Sequence, residues 1–516
     1  MNFFKEVLFE ISVVSKSYGP LVTKICFDWC EQHVTSSTYC TPNNIPSKFL
    51  ERACGIVSEW LSKLFNKCMT TGVFPDFWKI AHISPIPKVH SASSTSEYRP
   101  ISVLPVLPKL FEKDLYHRVY SYLTEHNLID KRQYGFRENH STELAITTIY
   151  DELLRNFDNK LITCSLFLDL SKAFDSCDHE ILLGKLYNCG IRVSHKLFSK
   201  FLHNRMQCTK IGAFKSSYKR ISCGVPQGSV ISPLLFLIYI NDITKASSFH
   251  TTLFVDDINL HMSNSSFNVL QTTVNLELCK IDHWLRANKL SLNYNKTNFM
   301  LLTSREHNPA SFKVIINNHN ISPEDNLKYL GVLLDNKLSW KPHVQKVKTQ
   351  LSRACGILSK LKHYTTLPVL KVVYSSLIHP YLNYSILNWG RASNATIQPL
   401  TKLQNKAIKI INPINSGSLE EHFQRLNILR LPKLYSFSVG KFMHSYHNKL
   451  LPNHFDEYFI PLSSIHYHST RLATSKILIL PGVNSSSGKC SLKFIGPKVW
   501  SSIPDDIKLS TTFTFR

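Results

Sequence analysis

The chain has 516 residues, which is enough for several domains of about 100–200 residues each. Hydrophobic residues make up 43% of it and charged residues 19%, so the composition excludes a disordered chain. Lys and Arg number 60 against 36 Asp and Glu, which gives a net charge of +24. This charge predicts a polyanionic partner, most simply a nucleic acid. The less favoured alternative is a basic protein without a polyanionic partner.

The excess positive charge is concentrated in one stretch of the chain. Residues 336–419 contain no Asp or Glu and carry twelve Lys and Arg residues, which is half of the net +24. Solvated protein faces normally mix both signs, so a stretch of one sign indicates a surface that faces phosphates.

The sequence predicts an intracellular protein, in the nucleus, the cytoplasm or both, with no membrane partner. The opening MNFFKEVLFEISVV lacks a secretory pattern, and the longest apolar run, in VISPLLFLIYI, is too short to span a bilayer. The 13 cysteines are scattered, which favours reduced thiols. Cys26, Cys30, His33 and Cys40 match no common zinc-finger spacing, so buried thiols are favoured over a zinc site.

The first third of the chain reads as helix, then strand, then helix. Residues 1 to about 80 are mostly helical, with one apolar stripe before Pro75 that consists of Ile56, Trp60, Leu61, Leu64 and Phe65. A short strand is predicted in HISPIPK, and a segment that turns from extended to helical in YRPISVLPVLPKLFEKDLYHRVYSYL. TELAITTIYDELLRNF has the apolar spacing of another amphipathic helix.

The middle of the chain predicts buried strands that alternate with helices. LITCSLFLDL indicates a fully buried strand that ends at Asp169. Helices are predicted in HEILLGKLYNCG, ISPLLFLIYINDI and NLELCKIDHWLRAN, and a strand, a tight turn and a strand in TTLFVDDINLHM. KYLGVLLDNKLSW predicts a hairpin with Asp335-Asn336 at its turn. This order is typical of an α+β fold.

A helix with an apolar stripe is predicted after the hairpin. Its apolar residues alternate steps of three and four, namely Val344, Val347, Leu351, Ala354, Leu358 and Leu361. Lys346, Arg353 and Lys360 recur every seven residues beside them. The stripe indicates packing against a core, and the basic row is the candidate for nucleic-acid binding.

Acidic residues at the ends of the two buried strands form the candidate catalytic site. Asp169 ends the first strand, and Asp256 and Asp257 follow the apolar TTLFV. Carboxylate oxygens suit Mg²⁺, and two such ions about 4 Å apart can clamp an in-line phosphoryl displacement. Taken alone, the Asp pair also suits a polar β-turn.

These segments resemble the motifs of reverse transcriptases from non-LTR (LINE-type) retrotransposons. The palm motifs of that family are matched by FLDLSKAFDSCDH, GVPQGSVISPLLFLIYINDI and FVDD, and its last palm motifs by LSLNYNKTNFM and KYLGVLLD. FPDFWKIAHISPIPK and EYRPISVLPVLPKLFEK resemble its fingers motifs, and QYGFRENHST the segment before the palm. GKCSLKFIGPKVWSSIPDDIK resembles the tail of its Jockey-like branch, so the resemblance covers roughly residues 45–510.

The resemblance implies a right-hand polymerase of the α+β class, whose palm is a split βαβ antiparallel sheet. We expect an N-terminal helical lead in 1–75, fingers and palm in 76–335, a basic thumb or connection in 336–400, and a mostly helical C-terminal region in 401–516.

The resemblance also implies roles for the acidic residues. Asp169, Asp256 and Asp257 would bind two Mg²⁺ ions, with Mn²⁺ as a substitute, and Lys296 would protonate the leaving pyrophosphate. The motif reads FVDD in this chain, with Val255 at a position where the family's version of the motif has alanine. Because this residue supplies no ligand, the change is expected to be mild.

Five residues are implied to bind the incoming nucleotide. Lys88 and Arg99 match positions that hold the triphosphate, and Phe174 matches an aromatic that excludes a ribose 2′-OH. Gln227 and Gly228 would lie against the nucleotide and the template. The alternative roles are solvated cations for Lys88 and Arg99 and a core aromatic for Phe174.

Other motif positions are assigned to helix starts and to the primer. Asp175 and Asp178 are interpreted as helix-start caps rather than metal ligands. Tyr329, Leu330 and Gly331 would belong to a hairpin that grips the primer. The basic row of Lys346, Arg353 and Lys360 would then follow the phosphates of the template–primer duplex.

The function implied is RNA-directed DNA polymerisation, a nucleotidyl transfer from dNTP to a primer 3′-OH. The expected partners are an RNA template, a DNA primer, their RNA–DNA hybrid and dNTPs. The short helical lead leaves no room for an endonuclease, so that activity is expected from another chain. The alternatives are a catalytically inactive nucleic-acid-binding protein derived from a transposon, a truncated remnant of an element, or a polymerase with a different template or product.

Overall fold

The computed structural model describes residues 47–192, 194–304, 312–412, 418–461, 478–485 and 488–508. Cys26, Cys30, His33 and Cys40 lie outside these ranges. No helix within them combines the length and the apolar character needed to cross a bilayer.

The structure is of the α+β class, as predicted. Its strands are β1 Ile80–Pro87, β2 Tyr98–Val103, β3 Ile162–Leu168, β4 Met206–Ile211, β5 Phe214–Lys215, β6 Lys219–Arg220, β7 His250–Phe254, β8 Asp257–Asn264, β9 Asn298–Leu302, β10 Val314–Ile316, β11 His319–Pro323, β12 Asn326–Tyr329 and β13 Val332–Asp335.

Helices occupy most of the remaining described chain. They are α1 Ser47–Thr71, α2 Val106–Glu125, α3 Thr142–Asp158, α4 His179–Asn188, α5 His195–Leu202, α6 Ser232–Ile240, α7 Phe267–Ala287, α8 Lys341–Leu361, α9 Leu367–Leu377, α10 His379–Asn383, α11 Ile386–Trp389, α12 Asn394–Ile411, α13 Leu419–Leu426, α14 Leu431–His447, α15 Leu492–Ser501 and α16 Asp505–Lys508. The helical C-terminal region agrees with the prediction.

The chain folds into two compact units with interleaved segments. The first unit contains the described residues up to Asp130, Leu170–Ile243 and His283–Ser291. The second contains Lys131–Asp169, Thr244–Asp282 and the described residues from Leu292 onward.

The first unit is built on a small sheet with β1 at its centre. β1 pairs antiparallel with β2 and parallel with β4. The predicted helix before Pro75 is present as α1, and its apolar stripe is only partly buried. Leu61 and Phe65 are buried, whereas Ile56 and Trp60 are 79% and 69% exposed.

The second unit is built on a six-stranded sheet in the order β10-β11-β9-β3-β8-β7. β3 lies between β8 and β9 and is antiparallel to both. All seven of its residues are buried, which confirms the predicted buried strand. Because both neighbours pair with β3 along its length, its last residue is fixed beside the start of β8.

The hairpin in KYLGVLLD is confirmed, but its predicted turn is wrong. β12 pairs with β13 through Tyr329↔Val332, so Leu330 and Gly331 form the two-residue turn. Both have positive φ, 42° and 87°, as a tight hairpin turn requires, and glycine accepts this conformation readily. Asp335 instead accepts hydrogen bonds from the backbone N–H groups of Ser339 and Trp340 just before α8.

The helices after the hairpin complete the core of the second unit. The predicted apolar stripe of α8 is buried from Val344 to Leu358, and Leu361 is partly buried. These side chains join one hydrophobic cluster with residues of β3, β9 and α3, including Phe167, Met300 and Tyr150. The second unit's sheet and its C-terminal helices therefore share one core.

The basic stretch 336–419 does not consist only of exposed cations. Ten of its twelve Lys and Arg residues are exposed and Lys371 is partly buried. Arg391 is buried and forms an ion pair with Asp151 of α3. Asp151 also accepts hydrogen bonds from the Tyr458 hydroxyl and from the backbone N–H of Leu492. Arg391 thus stabilises the fold and is not placed to face phosphates.

Substitution of Arg391 by Met is expected to destabilise the chain by about 3–5 kcal/mol, because it leaves the Asp151 carboxylate buried without its counter-charge. Lys402→Met, an exposed position in the same stretch, should change stability by no more than about 0.5 kcal/mol. Urea unfolding followed by circular dichroism would measure both. Equal midpoints for the two variants would contradict a structural role for the ion pair.

Candidate active site

The sheet of the second unit brings the three predicted catalytic acids together. β3 ends at Leu168, which pairs with Ile258 of β8, so Asp169 follows next to the start of β8. Asp257 is the first residue of β8 and pairs with Phe254. Val255 and Asp256 form the turn between β7 and β8. The acids are therefore gathered at one end of adjacent strands.

The electrostatics of Asp257 reflect this gathering of negative charge. Burial and the nearby carboxylates of Asp256 and Asp169 raise the pKa of Asp257 to about 6. Burial removes water from the charged form, and two like charges disfavour it further. Because ionisation of Asp257 is costly beside two other carboxylates, this cluster is suited to bind a cation that neutralises part of its negative charge.

Asp169 is held by residues of the loop before β9. The Asn293 side-chain amide donates to Asp169 Oδ2 over 3.0 Å, and the Asn293 backbone N–H donates to the Asp169 carbonyl over 2.8 Å. Lys296 Nζ lies 4.0 Å from Asp169 Oδ2, with 67% of its side chain exposed. The Asn293 amide fixes the carboxylate, and the Lys296 ammonium remains close to it and open to solvent.

The turn that carries Asp256 is held in a strained conformation. Val255 has φ of 61°, a left-handed value that is rare for a β-branched residue. The side-chain oxygen of Gln133 accepts from the backbone N–H groups of Val255 and Gly135, at 3.0 and 2.8 Å. Strain of this kind costs about 1–3 kcal/mol and is common at functional sites. The expectation that valine is a mild change at this position stays a prediction.

The donor set suits a hard divalent cation. Asp169, Asp256 and Asp257 offer carboxylate oxygens, the ligand type that Mg²⁺ and Mn²⁺ accept. The mutual repulsion that raises the pKa of Asp257 would be relieved by bound positive charge. These three residues would hold the metal, while Asn293 orients Asp169 by a hydrogen bond to one carboxylate oxygen.

The GVPQGS loop of the first unit is fixed by hydrogen bonds. Gln227 donates from its side-chain amide to Asp175 Oδ1 over 2.9 Å, and its carbonyl accepts from Ser102 N–H over 2.6 Å. Gly228 has φ of 120°, and a Cβ there would lie 2.5 Å from the Ser102 carbonyl oxygen. The close approach of two backbones therefore requires glycine at this position, whether or not a base lies against it.

The two aspartates interpreted as helix caps behave differently. Asp178 caps α4, since its Oδ1 accepts from the N–H groups of Glu180 and Ile181. Asp175 lies inside a short 3₁₀ turn and binds Gln227 instead, so its interpretation as a cap is wrong. Burial raises the pKa of Asp175, which the Gln227 amide partly offsets.

The remaining nucleotide-binding candidates also lie in the first unit. The ring of Phe174 stacks on Phe236, with centroids 4.6 Å apart, and is partly buried. Arg99 pairs with Ile86 across β1 and β2, and Lys88 directly follows β1. Both cations are exposed, and Lys88 Nζ donates to the Ser96 carbonyl.

The predicted nucleic-acid contacts divide into buried and exposed groups. Tyr329 is only 5% exposed and its ring packs edge-on against Phe167, so its side chain is buried, whereas Gly331 in the turn of its hairpin is exposed. Lys346, Arg353 and Lys360 are all exposed on α8 and form no ion pair with a described residue.

Three supporting residues were not identified from the sequence. Gln133 holds the Val255 turn and Asn293 holds Asp169. Glu112, fully buried in α2, accepts from Ser229 Oγ and Val230 N–H and so fixes the GVPQGS loop. Gln133 lies in QYGFRENHST and Glu112 in EYRPISVLPVLPKLFEK, two segments that resemble family motifs. A polar residue inside such a segment is the sequence signal that could have identified both.

A family model described as reverse transcriptase (RNA-dependent DNA polymerase) matches residues 86–334. This range contains all three clustered acids. Residues 86–334 are therefore similar to a reverse transcriptase domain, which confirms the predicted resemblance to reverse transcriptases.

The chain is also similar to curated relatives that are named as polymerases of mobile elements. The chain is 27% identical over 364 residues to the probable RNA-directed DNA polymerase from transposon BS and 27% identical over 366 residues to that from transposon X-element, both of Drosophila melanogaster. Each alignment covers 68% of this chain and 40% of the relative. The chain therefore spans about two fifths of the length of these relatives.

A further relative and a solved structure are also similar. The RNA-directed DNA polymerase from mobile element jockey of Drosophila melanogaster is 27% identical over 367 residues, covering 69% of this chain and 40% of the relative. Apo telomerase from Candida tropicalis aligns with a TM-score of 0.40 and 12% identity, covering 77% of this chain and 68% of that one.

Substitution of Asp257 by Asn is expected to stabilise the metal-free chain at pH 8. The folded-state pKa of about 6 lies above the usual value near 3.9, so stability falls as the pH rises from about 4 to about 6. The variant avoids this loss, which amounts to about 1–3 kcal/mol at pH 8 and vanishes at pH 4. Urea unfolding in EDTA at both pH values would measure it.

Glu324→Gln serves as the matched control, because Glu324 is an exposed carboxylate of the same unit. It should show no comparable gain between pH 4 and pH 8. A gain for Asp257→Asn that is equally large at pH 4 would mean that side-chain packing, and not the clustered charge, sets the cost.

Proposed function

We propose that this chain synthesises DNA on an RNA template. The observation that carries the proposal is the cluster of Asp169, Asp256 and Asp257 at one end of the sheet, within a reverse transcriptase domain. The reaction is attack of a primer 3′-OH on the α-phosphate of a dNTP, with pyrophosphate as the leaving group.

The three carboxylates would bind Mg²⁺, with Mn²⁺ as a substitute. When bound, two such ions polarise the attacking hydroxyl and neutralise charge on the transferred phosphoryl group. Asn293 keeps Asp169 oriented by its 3.0 Å hydrogen bond, so the carboxylate is positioned before the substrates arrive. The held Val255 turn does the same for Asp256.

Lys296 is suited to donate a proton to the leaving pyrophosphate. Its ammonium group forms a long ion pair of 4.0 Å with Asp169 Oδ2, and its side chain is mostly exposed, so it lies near the proposed reacting groups and stays open to solvent. A positioned general acid of this kind contributes about 10²–10⁴-fold to rate.

The first unit carries groups suited to bind the nucleotide. Lys88 and Arg99 are exposed cations at the ends of β1 and β2, as triphosphate binding requires. Phe174 has a ring backed by Phe236, which makes it a rigid steric barrier to a ribose 2′-OH. Gln227 is held by Asp175 and presents a fixed backbone to a base or template.

The exposed row of α8 is suited to bind the template–primer duplex. Lys346, Arg353 and Lys360 recur every seven residues, or two helical turns, so they lie along one side of the helix. Point charges spaced in this way contact phosphates and carry no base specificity. The partners proposed are therefore an RNA template, a DNA primer and their hybrid.

Substitution of Asp256 by Asn is expected to lower primer extension at least about a thousandfold. Loss of one metal-binding carboxylate removes several kcal/mol of transition-state stabilisation, and each 1.36 kcal/mol is tenfold in rate. The assay uses the purified chain, an RNA template, an annealed DNA primer, Mg²⁺ and dNTPs.

Glu457→Gln, an exposed acidic residue of the same unit, is the control and should retain full extension. If wild type and control bind the hybrid but extend nothing, the chain is a non-catalytic nucleic-acid-binding protein. If rNTPs are incorporated as well as dNTPs, the proposed role of Phe174 in sugar selection is excluded.

Replacement of Lys346, Arg353 and Lys360 by Gln is expected to weaken binding of an RNA–DNA hybrid at low salt. Each phosphate contact releases counterions when the complex forms, so losing three contacts reduces this release. The magnitude of the slope of log K against log salt concentration should therefore fall by about 2 to 3. Fluorescence anisotropy at several salt concentrations would measure this slope.

The matched control replaces three exposed lysines of the same unit that lie outside α8, namely Lys313, Lys449 and Lys489. It removes the same net charge, so general attraction to nucleic acid falls equally. A salt slope that drops equally in both triple variants would rule out a specific duplex path along α8.

A further inference from the structure

The end of the β7–β8 hairpin opposite the catalytic turn carries two histidines and a glutamate. His250 and His261 are paired across the two strands, and Glu152 belongs to α3. His261 Nε2 lies 3.0 Å from Glu152 Oε2, and His250 Nδ1 lies 3.3 Å from Glu152 Oε1. One ligand atom from each residue falls within 4.8 Å of the other two.

The tautomer of His261 is fixed by Asn259. The Asn259 amide nitrogen donates to Ser165 Oγ and to the Leu166 carbonyl, at 2.9 and 3.0 Å. The carbonyl can only accept, so the Asn259 oxygen must face the other way, where it lies 3.2 Å from His261 Nδ1. Nδ1 of His261 therefore carries a proton and donates it to Asn259.

This assignment leaves Nε2 of His261 directed at a carboxylate. The residue is 1% exposed, and Nε2 makes no hydrogen bond of acceptable direction to any described residue. In a neutral ring Nε2 presents a lone pair, which the Glu152 carboxylate would repel. A cation between the two atoms removes this conflict, either as a proton on Nε2 or as a metal ion.

A metal ion satisfies more of the cluster than a proton does. One proton serves one nitrogen–oxygen pair, whereas a metal serves Glu152, His250 and His261 together. Metal–ligand bonds of about 2.0–2.2 Å in tetrahedral geometry place neighbouring ligand atoms about 3.3–3.6 Å apart. The separation is 3.0 Å from Glu152 Oε2 to His261 Nε2 and 3.3 Å from Glu152 Oε1 to His250 Nδ1, and one ligand atom from each residue lies within 4.8 Å of the other two. Small side-chain rotations would bring these atoms to the tetrahedral spacing.

The surroundings are those of a metal site with a second layer of support. Asn259 holds the far nitrogen of His261, as carbonyl and amide oxygens commonly do for metal-bound histidine. Arg155 donates to Glu152 Oε1 over 3.3 Å and so helps to orient the carboxylate. The side chain of His250 is 66% exposed, which leaves an entry path and a fourth position for water.

We propose that Glu152, His250 and His261 bind one Zn²⁺ ion. Two imidazole nitrogens with one carboxylate suit zinc and similar transition ions, whereas the all-carboxylate set of Asp169, Asp256 and Asp257 suits Mg²⁺. The ion would link α3 to both strands of the hairpin that bears the catalytic turn. This proposal is independent of the polymerase function.

The test is titration of the EDTA-treated full chain with ZnCl₂ in excess Mg²⁺, followed by competition with a chromophoric chelator. Wild type should bind one Zn²⁺ with a raised midpoint of thermal unfolding. Co²⁺ should give the visible absorption of nitrogen ligation. His250→Asn changes a mostly exposed side chain and should weaken Zn²⁺ binding at least tenfold, while His90→Asn, an exposed histidine of the first unit, should not.

Three outcomes would overturn the proposal. Binding lost in Asp256→Asn but kept in His250→Asn would place the zinc at the polymerase carboxylates. Equal affinity in His250→Asn and His90→Asn would exclude the hairpin site. The third outcome is that the wild type binds no zinc although its circular dichroism spectrum after EDTA treatment shows that it is still folded. A proton on His261 would then satisfy the cluster.

Discussion

The antiparallel pairing of β3 with β8 and β9 is the constraint on which the rest of the second unit depends. It buries seven consecutive residues and fixes the register at which Asp169 meets Asp257. Hydrophobic burial along the strand opposes the repulsion of the carboxylates at its end, since the two act on the same rigid element. The sheet thus holds charges together that would separate on a mobile loop.

Residues far away in sequence hold what the sheet brings together. Gln133 fixes the strained Val255 turn, and Asn293 fixes Asp169. Neither residue is charged, and each acts through one or two hydrogen bonds of about 3 Å. The geometry of the proposed catalytic site therefore depends on neutral donors and acceptors as much as on the acids themselves, because they supply orientation and not charge.

The sequence was sufficient for features that follow from local pattern. Continuous apolar residues predicted β3, alternating steps of three and four predicted α8, and strand ends predicted the acidic cluster. Features set by tertiary contact were missed. Asp335-Asn336 has the residue types of a turn, yet the turn falls at Leu330-Gly331. There the Tyr384 hydroxyl, 54 residues away in sequence, donates a hydrogen bond to the Leu330 carbonyl. Likewise, nothing local separates Arg391 from its exposed basic neighbours, because its partner Asp151 is 240 residues distant.

The network around Asp151 joins distant parts of the chain to one helix. Its carboxylate forms an ion pair with Arg391 and accepts hydrogen bonds from the Tyr458 hydroxyl and the Leu492 N–H. The helix that carries it, α3, packs in the same core as β3. In genetic terms, a frameshift or stop codon shortly before Leu492 would remove one of the three groups that donate to a buried acid of the second unit. Selection for the fold would then act on codons well beyond residue 334, where the match to the family model ends.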